Sequence, residues 1–466
     1  VKGIIGWVKK NLIVVISVVL ILVFLPVGWV FSSGWNKSIK DKATTAYNQE
    51  KTALTKAGSV SYGLPGVLQG EESLSESRPP NTSVTSFYQT EKQKRLDQVK
   101  EVVARGTDFN KRNHTELVPG LLPAPQSDFL RRQLGIEMAE MIAGTRDSAG
   151  NQIRPSIYDT MLRRLNAGMP PGPDEVGATL AEYKSTLEQR FTGSSTDGRL
   201  TEAQTAEIAK SMVTRRLGEY AGKANSLAFY ASPEAIRGSE NQTEAGWSSI
   251  LRTVPASTLI NEADAFVWLW DYWVVSDVLD AVALANSNPQ TGSMTVPSAP
   301  VKRVDRLRIS EVKLPAAASG SEEDLSGGFG GGADTADAGV AGPATHTGRA
   351  GGTADSPYDL RTVELTVVAS SKDLPRLIDA LGRINNMTVV DVDLQPVDVW
   401  AELAQGFFYG ADHVVRATLT IETVWLRSWT SPLMPDRVRT AFGLPALSTG
   451  ADEAEASDEF SEEEEP

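Results

Sequence analysis

The chain has 466 residues, and its 59 Asp and Glu against 45 Lys and Arg give a formal net charge of −14, a balance that argues against a general nucleic-acid binder. Cysteine is absent and only three histidines occur (His114, His346 and His413), which excludes disulfide frameworks, thiolate metal sites, thiol nucleophiles and a His-rich metal centre built from one copy. The length suggests about three domains.

The first element is an uncharged run, Leu12 to Phe31. As a helix it spans about 30 Å, the thickness of a bilayer's hydrocarbon, and a helix is the form that satisfies every backbone group in lipid. Pro26 and Gly28 suggest a kink towards its end, and Trp7, Trp29 and Trp35 stand where interfacial aromatics belong. Lys2, Lys9 and Lys10 precede the run and Lys37, Lys40 and Lys42 follow it, so charge leaves the orientation nearly balanced. A cleaved signal peptide is the rival reading; the run exceeds the usual apolar core of about 7–15 residues, and no A-x-A site follows. Residues 1–11 are therefore expected to be a cytoplasmic stub and 12–31 an uncleaved transmembrane helix. No second span is expected, because Ala265 to Ala285 carries Asp271, Asp277 and Asp280.

Residues 36–112 read as a helical stalk. Asn36 to Lys56 places Ile39, Ala43, Ala46 and Tyr47 on one side and stops around Gly58 to Gly70. Ser83 to Arg105 places Phe87, Leu96, Val99 and Val103 on one approximate stripe, which suits a short coiled coil or a helix laid on a domain. Residues 127–232 read as a helical domain with helices at Phe129–Ile142, from Asp174 and Glu175 onward, and at Leu200–Tyr230. They are separated by Pro170-Pro171-Gly172 and the Gly193–Gly198 segment. No functional site is expected in this block.

From Asn261 the pattern changes. Residues 261–286 form a helix with Phe266, Trp270, Trp273, Val274, Val278 and Val282 on a broad face, and Val304 to Leu314 follows as a strand with a bulge or end near Ser310. Ala316 to Asp359 holds eleven Gly and ten Ala and too few large apolar side chains to offset the entropy of ordering, so a disordered insert is expected. Arg361 to Val368 alternates as a strand, Ser371 can cap a clean amphipathic helix over Leu374–Ile384, and Val390–Leu394 and Val415–Leu426 supply two more strands. The order is αββαββ over 261–430. It predicts a four-stranded antiparallel sheet with two helices on one face, a circular arrangement of the ferredoxin-like fold within an α+β chain. A short extension (431–450) and an acidic disordered tail (451–466) complete it; the tail alone carries nine acidic residues and no basic ones.

This plan of stub, single span, helical stalk and terminal αββαββ domain resembles the PilO family of type IV pilus inner-membrane proteins and the GspM-type proteins of type II secretion systems. The phrases WVVSDVLDAVALAN at 273–286, GFFYGADHVVRATLTIE at 406–422 and LMPDRVRTAFG at 433–443 are similar to those of large PilO-like proteins. The helical block, the long insert and the acidic tail depart from the compact family form. The resemblance implies a non-catalytic periplasmic scaffold anchored in the bacterial inner membrane. It would act as a homodimer or a PilN-like heterodimer and dock other envelope assembly proteins, with no catalytic residues and no cofactor.

Other candidate sites have simpler readings beside them. Trp268 and Trp270 point about 200° apart, so one sheet cannot bury both. Trp268 and Tyr272 are thus left for a contact with the helical block or a partner surface. Gly327 to Gly332 superficially suggests a phosphate loop but lacks the strand and helix such a loop needs. Asp391 and Asp393 share a strand face and could pair on a metal; exposure on the outer face of a one-sided sheet explains them as well. His413 has no catalytic companion near it and reads as a loop histidine. No metal site is expected. The residues expected to make partner contacts are Phe87, Leu96, Val99 and Val103, with Trp268 and Tyr272. A membrane-anchored sensor ectodomain is the alternative, though the stub leaves no room for a signalling module. A membrane-anchored hydrolase is the third reading, and it lacks an identifiable nucleophile–base pair.

Overall fold

The computed structural model describes residues 8 to 447 except 9–10, 59, 67–71, 80, 147–151, 194–198, 238–246, 249–259, 291, 315–346, 350 and 352–355. The Gly327–Gly332 segment, most of the expected insert, the acidic tail and most of the stub therefore lie outside the described residues. The chain divides into two units, residues 1–105 and 106–466.

In the first unit, α1 (Leu12–Ala57) is one unbroken helix of 46 residues that carries Pro26 within it and ends where the Gly58 amide donates to Leu54 O at 2.8 Å. At 1.5 Å per residue it is about 69 Å long, more than twice the hydrocarbon thickness. The apolar side chains of its first half are exposed. A hairpin follows, β1 (Val60–Leu64) and β2 (Leu74–Arg78), in the stretch expected to be an irregular stop. It lies on α2 (Thr82–Lys111) through a Tyr62–Tyr88 ring stack at 4.8 Å, with Tyr62 Oη 3.0 Å from Thr85 Oγ1.

The second unit begins within the last turns of α2. Helices α3 (Asp128–Ala143), α4 (Ile157–Arg164), α5 (Pro173–Thr192) and α6 (Glu202–Ser226) start at side-chain or glycine caps, among them capping boxes at Ser156/Asp159 and Thr201/Gln204. Two-residue strands, β3 (Ala167–Gly168) and β4 (Phe229–Tyr230), emerge from this block. Then come α7 (Glu262–Ala285), β5 (Val301–Ile309), β6 (Tyr358–Ser370), α8 (Leu374–Ile384), β7 (Met387–Pro396), the short α9 (Val399–Ala404) and β8 (Val414–Leu426). The sheet order is β7–β8–β6–β5–β4–β3, antiparallel through the first four strands. β4 and β3 add to the β5 side in parallel.

The mixed α+β character and the four antiparallel strands follow the alternation of the sequence. Several details differ. Strand β6 begins at Tyr358, inside the expected insert, because the Asp359 carboxylate is buried against the Arg427 guanidinium (Oδ1 to Nη2 2.6 Å). Asp373, rather than Ser371, is the residue preceding α8, and Ser371 Oγ instead lies 3.4 Å from His413 Nδ1. Strand β5 starts three residues earlier than expected, at Val301, and stops at Ile309, the strand end anticipated near Ser310; the irregularities of its pairing lie at Thr366/Val367 and Val368/Ala369.

The larger difference concerns the helical block. Met138, Ile142, Tyr158, Met161, Leu162 and Phe229 from the block share one continuous core with α7, α8 and the inward residues of β5, β6 and β8. Residues 127–232 are thus not set apart from 261–430. Helix α7 is enclosed on both sides, which explains why it is apolar nearly all round. Its aromatic residues divide accordingly. Trp270 and Trp273 face the sheet side with Trp425 and Trp429, Trp273 and Trp429 having ring centroids 5.1 Å apart. Tyr272 turns the other way and meets Tyr158 edge-on at 6.1 Å.

Truncation of Trp425 to Ala is expected to lower stability by about 3–5 kcal/mol, since it hollows the ring cluster. Urea denaturation followed by far-UV circular dichroism measures the loss.

Candidate functional site

Within unit 2 the end of α2 is held by a buried polar cluster. Asn110 is fully buried, and its amide uses its whole bonding capacity. Nδ2 donates to Asn385 Oδ1 at 2.9 Å and Val424 O at 2.7 Å, while Oδ1 accepts from the Leu426 amide and Trp429 Nε1, both at 2.8 Å. Asn385 donates in turn to Asn110 O at 3.2 Å and to Asp277 Oδ2 at 2.6 Å. Asp277, in the middle of the apolar α7, also receives Arg112 Nη1 at 2.5 Å, and His114 Nε2 lies 3.0 Å from its second oxygen. Arg112 ends the helix with φ 47°, a left-handed conformation that its bonds to Asp277 and Asp280 hold in place. The His114 ring lies among Trp273, Trp425 and Trp429, with centroids 5.5 to 5.9 Å away. The cluster closes on itself, so its role is to fix the helix end.

A second cluster secures the β7–β8 connection. Asp398 caps α9 by accepting from Trp400 N and Ala401 N at 3.1 Å. Glu402 receives Arg303 Nη1 at 2.5 Å and Arg416 Nη2 at 3.0 Å, and Arg303 also lies 4.1 Å over the Phe407 ring. Burial pushes the Tyr409 hydroxyl above its ordinary range, opposed by the Arg303 charge and helped by the Glu402 and Asp305 carboxylates; it donates to Glu402 Oε2 at 3.4 Å. Nearby, the buried Lys302 ammonium donates to Asp412 Oδ2 and to Pro297 O, each at 2.9 Å. Burial lowers the Lys302 pKa, and the hydrogen bonds from Lys302 and Lys372 hold Asp412 below the usual carboxylate range. This connection presents Trp400 with 80% of its surface exposed.

The residues singled out for partner contacts fall into two groups. On α2, Leu96, Val99 and Val103 stand 44, 41 and 58% exposed on adjacent turns. Phe87 is exposed as well, but it lies nine residues before Leu96. Nine residues are two and a half turns, so it faces about 180° away and does not belong to their stripe. Val102, also exposed, widens the same side. Trp268 and Tyr272, by contrast, are half-buried against the shared core, which accounts for them as packing. Asp391 and Asp393 are exposed on the open sheet face. Among the described residues no group of three or more His, Asp or Glu is placed to hold a metal ion.

Sequence reading used Asp277 and Asp280 only to argue against a second span and missed Asn110, Arg112, His114 and Asn385. The signal was present: a carboxylate in the centre of an apolar helix requires donors from elsewhere.

No protein-family model matches the chain, and no curated protein matches it. Among solved structures, the type 4 fimbrial biogenesis protein PilO from Pseudomonas aeruginosa is similar at 17% identity with a TM-score of 0.11, over 15% of this chain and 44% of that one. The match spans less than half of that protein's length.

Replacing Asn110 with Leu strands the Trp429 indole N–H, the Leu426 amide and the Val424 carbonyl, and is expected to cost at least about 3 kcal/mol in a urea titration. Asp412→Asn leaves Lys302 without its counter-ion and should cost about 3 kcal/mol, with Lys302→Met in the same chain restoring most of the loss. Because the folded pKa of Asp412 is depressed, its contribution is present above the ordinary carboxylate pKa of about 4 and fades as pH falls through the folded value. The Asp412→Asn variant should therefore show a shallower loss of stability on acidification than the parent chain.

Proposed function

We propose that the chain is a non-catalytic, single-pass scaffold of the bacterial inner membrane, with its bulk in the periplasm, serving a type IV pilus or type II secretion-like assembly. In this reading α7–β5–β6–α8–β7–β8 is a ferredoxin-like αββαββ unit. The family resemblance drawn from the sequence supplies the class of machine. The membrane assignment rests on α1, which among the described residues is the one helix long and apolar enough to cross a bilayer.

The observation that carries the reading is the apolar seam on α2. Leu96, Val99 and Val103 recur at three and four residues, the spacing that brings one helix against another, and all three are exposed. A seam of this kind favours a second helix, from another copy or from a PilN-like partner. Holding proteins together in this way needs no cofactor.

The cysteine-free sequence makes the test clean. Val99→Cys, oxidised in intact membranes, is expected to give a disulfide-linked dimer. Glu101→Cys, on the far side of the helix, should stay monomeric. If a helical partner of another kind occupies the seam, a bifunctional cross-linker at position 99 gives a heterodimer instead. Monomer at both positions under both reagents refutes the seam.

A further inference from the structure

We propose that the open edge of β7 is a strand-addition site for an extended segment of a different protein, one carrying Lys or Arg at alternate positions. The inference rests on the scaffold reading and names the surface and the chemistry by which one partner is recognised.

Among the described residues β7 pairs with β8 alone, so its other side has no strand. Every residue from Asp391 to Pro396 is exposed. The pleat separates these residues into two rows. Asp391, Asp393 and Gln395 lie on the open face, opposite Thr420, Thr418 and Arg416 of β8. Val392 and Leu394 lie on the other face, 37 and 54% exposed, opposite Leu419 and Ala417. A strand added here gains main-chain hydrogen bonds from the edge and side-chain specificity from the two rows.

Charge decides the occupant. No Lys or Arg occurs between Arg383 and Arg416, whereas Asp391, Asp393, Asp398, Glu402 and Asp412 all fall in that interval. Glu402 and Asp412 are neutralised by Arg303, Arg416, Lys302 and Lys372, and Asp398 caps α9. Asp391 and Asp393 face threonines across the ladder, and the hydrogen bond to Asp393 comes from the neutral Gln395 amide at 3.0 Å. Two carboxylates thus stand in a row on the open face with no cation opposite them on β8.

A second copy of β7 fits poorly. The pleat allows only registers that keep like faces together. The two-fold pairings centred on Asp391, Val392 or Asp393 each set an aspartate directly opposite an aspartate, a destabilising juxtaposition. The chain's two acidic segments fit no better, since residues 315–346 and 451–466 contain no Lys or Arg, and residues 249–259 hold a single basic residue, Arg252, where two at alternate positions are needed. The complementary occupant is a strand with basic residues facing Asp391 and Asp393 and apolar residues facing Val392 and Leu394.

The test uses the full chain in lipid nanodiscs and three capped, fluorescein-labelled nonapeptides: alternating Lys and Val, alternating Glu and Val, and the Lys peptide with alternate backbone amides N-methylated. Fluorescence anisotropy should show the Lys peptide binding about 10-fold or more tightly than the Glu peptide, from two attractive cross-strand pairs set against two repulsive ones. Added salt should weaken it, and N-methylation should abolish it. The Asp391→Lys/Asp393→Lys variant should invert the preference, an outcome that misfolding cannot produce. Equal affinity for the two peptides, no inversion in the variant, or undiminished binding of the N-methylated peptide overturns the proposal; the last would mean that the aspartates attract charge without adding a strand. Dimerisation of the parent chain with itself through β7 overturns it in favour of a second copy. The adduct at Val99 reports separately on the scaffold reading, so edge addition can fail while that adduct still forms, and the reverse.

Discussion

One carboxylate governs the architecture of the larger unit. Asp277 sits at the centre of α7, a helix covered by the sheet on one side and by the helical block on the other, where an unpaired charge would be prohibitive. Its compensation comes from distant parts of the chain: Arg112 and His114 just beyond α2, and Asn385 at the junction of α8 and β7. Asn110 then ties the same point to the end of β8. Removing any of these donors leaves the others facing a buried group with too few partners. The cluster therefore sets where the end of α2 meets the sheet, and the tryptophans around His114 exclude water from the junction.

The same requirement shapes the opposite end of the sheet, with another outcome. There Arg303, Arg416 and Lys302 are matched by Glu402, Asp305 and Asp412, and the matching holds a long β7–β8 connection against the open face. Cations are used up within the domain at this end, so the adjoining edge is left acidic. Local neutralisation in one place thus produces an electrostatic signature in the next.

Much of this was legible in the sequence, and the remainder had physical reasons for staying hidden. Strands β6 and β8 and helix α8 announce themselves because a surface covered on one side enforces a period of two or 3.6. The hairpin β1–β2 does not, since the alternation of Val60, Tyr62 and Leu64 lasts only five residues and its partner strand, Leu74–Arg78, offers one apolar residue to match it. Strands β3 and β4 have two residues each, too short for any pattern. In β7 the pairing slips between Val389 and Asp391, which makes Val390 an extra residue, so the simple alternation of Val390, Val392 and Leu394 assigns Val390 to the wrong row. The partners of Asp277 were invisible for a different reason: a carboxylate records its need for donors, while sequence spacing says nothing about donors more than a hundred residues away. On α2 the apolar residues are exposed, but the stripe needed counting by angle, and Phe87 fails that count.

The two margins of the sheet are unlike. On the β5 side, β4 and β3 extend the sheet by a few residues and lead into helices, which among the described residues leaves no length of backbone to template another strand. Head-to-tail growth requires two usable margins, one to receive and one to offer. A sheet with one blunted margin terminates after a single addition. Whatever pairs along β7 does so in one-to-one stoichiometry, so crowding many copies of this chain together does not drive fibre formation along its sheets.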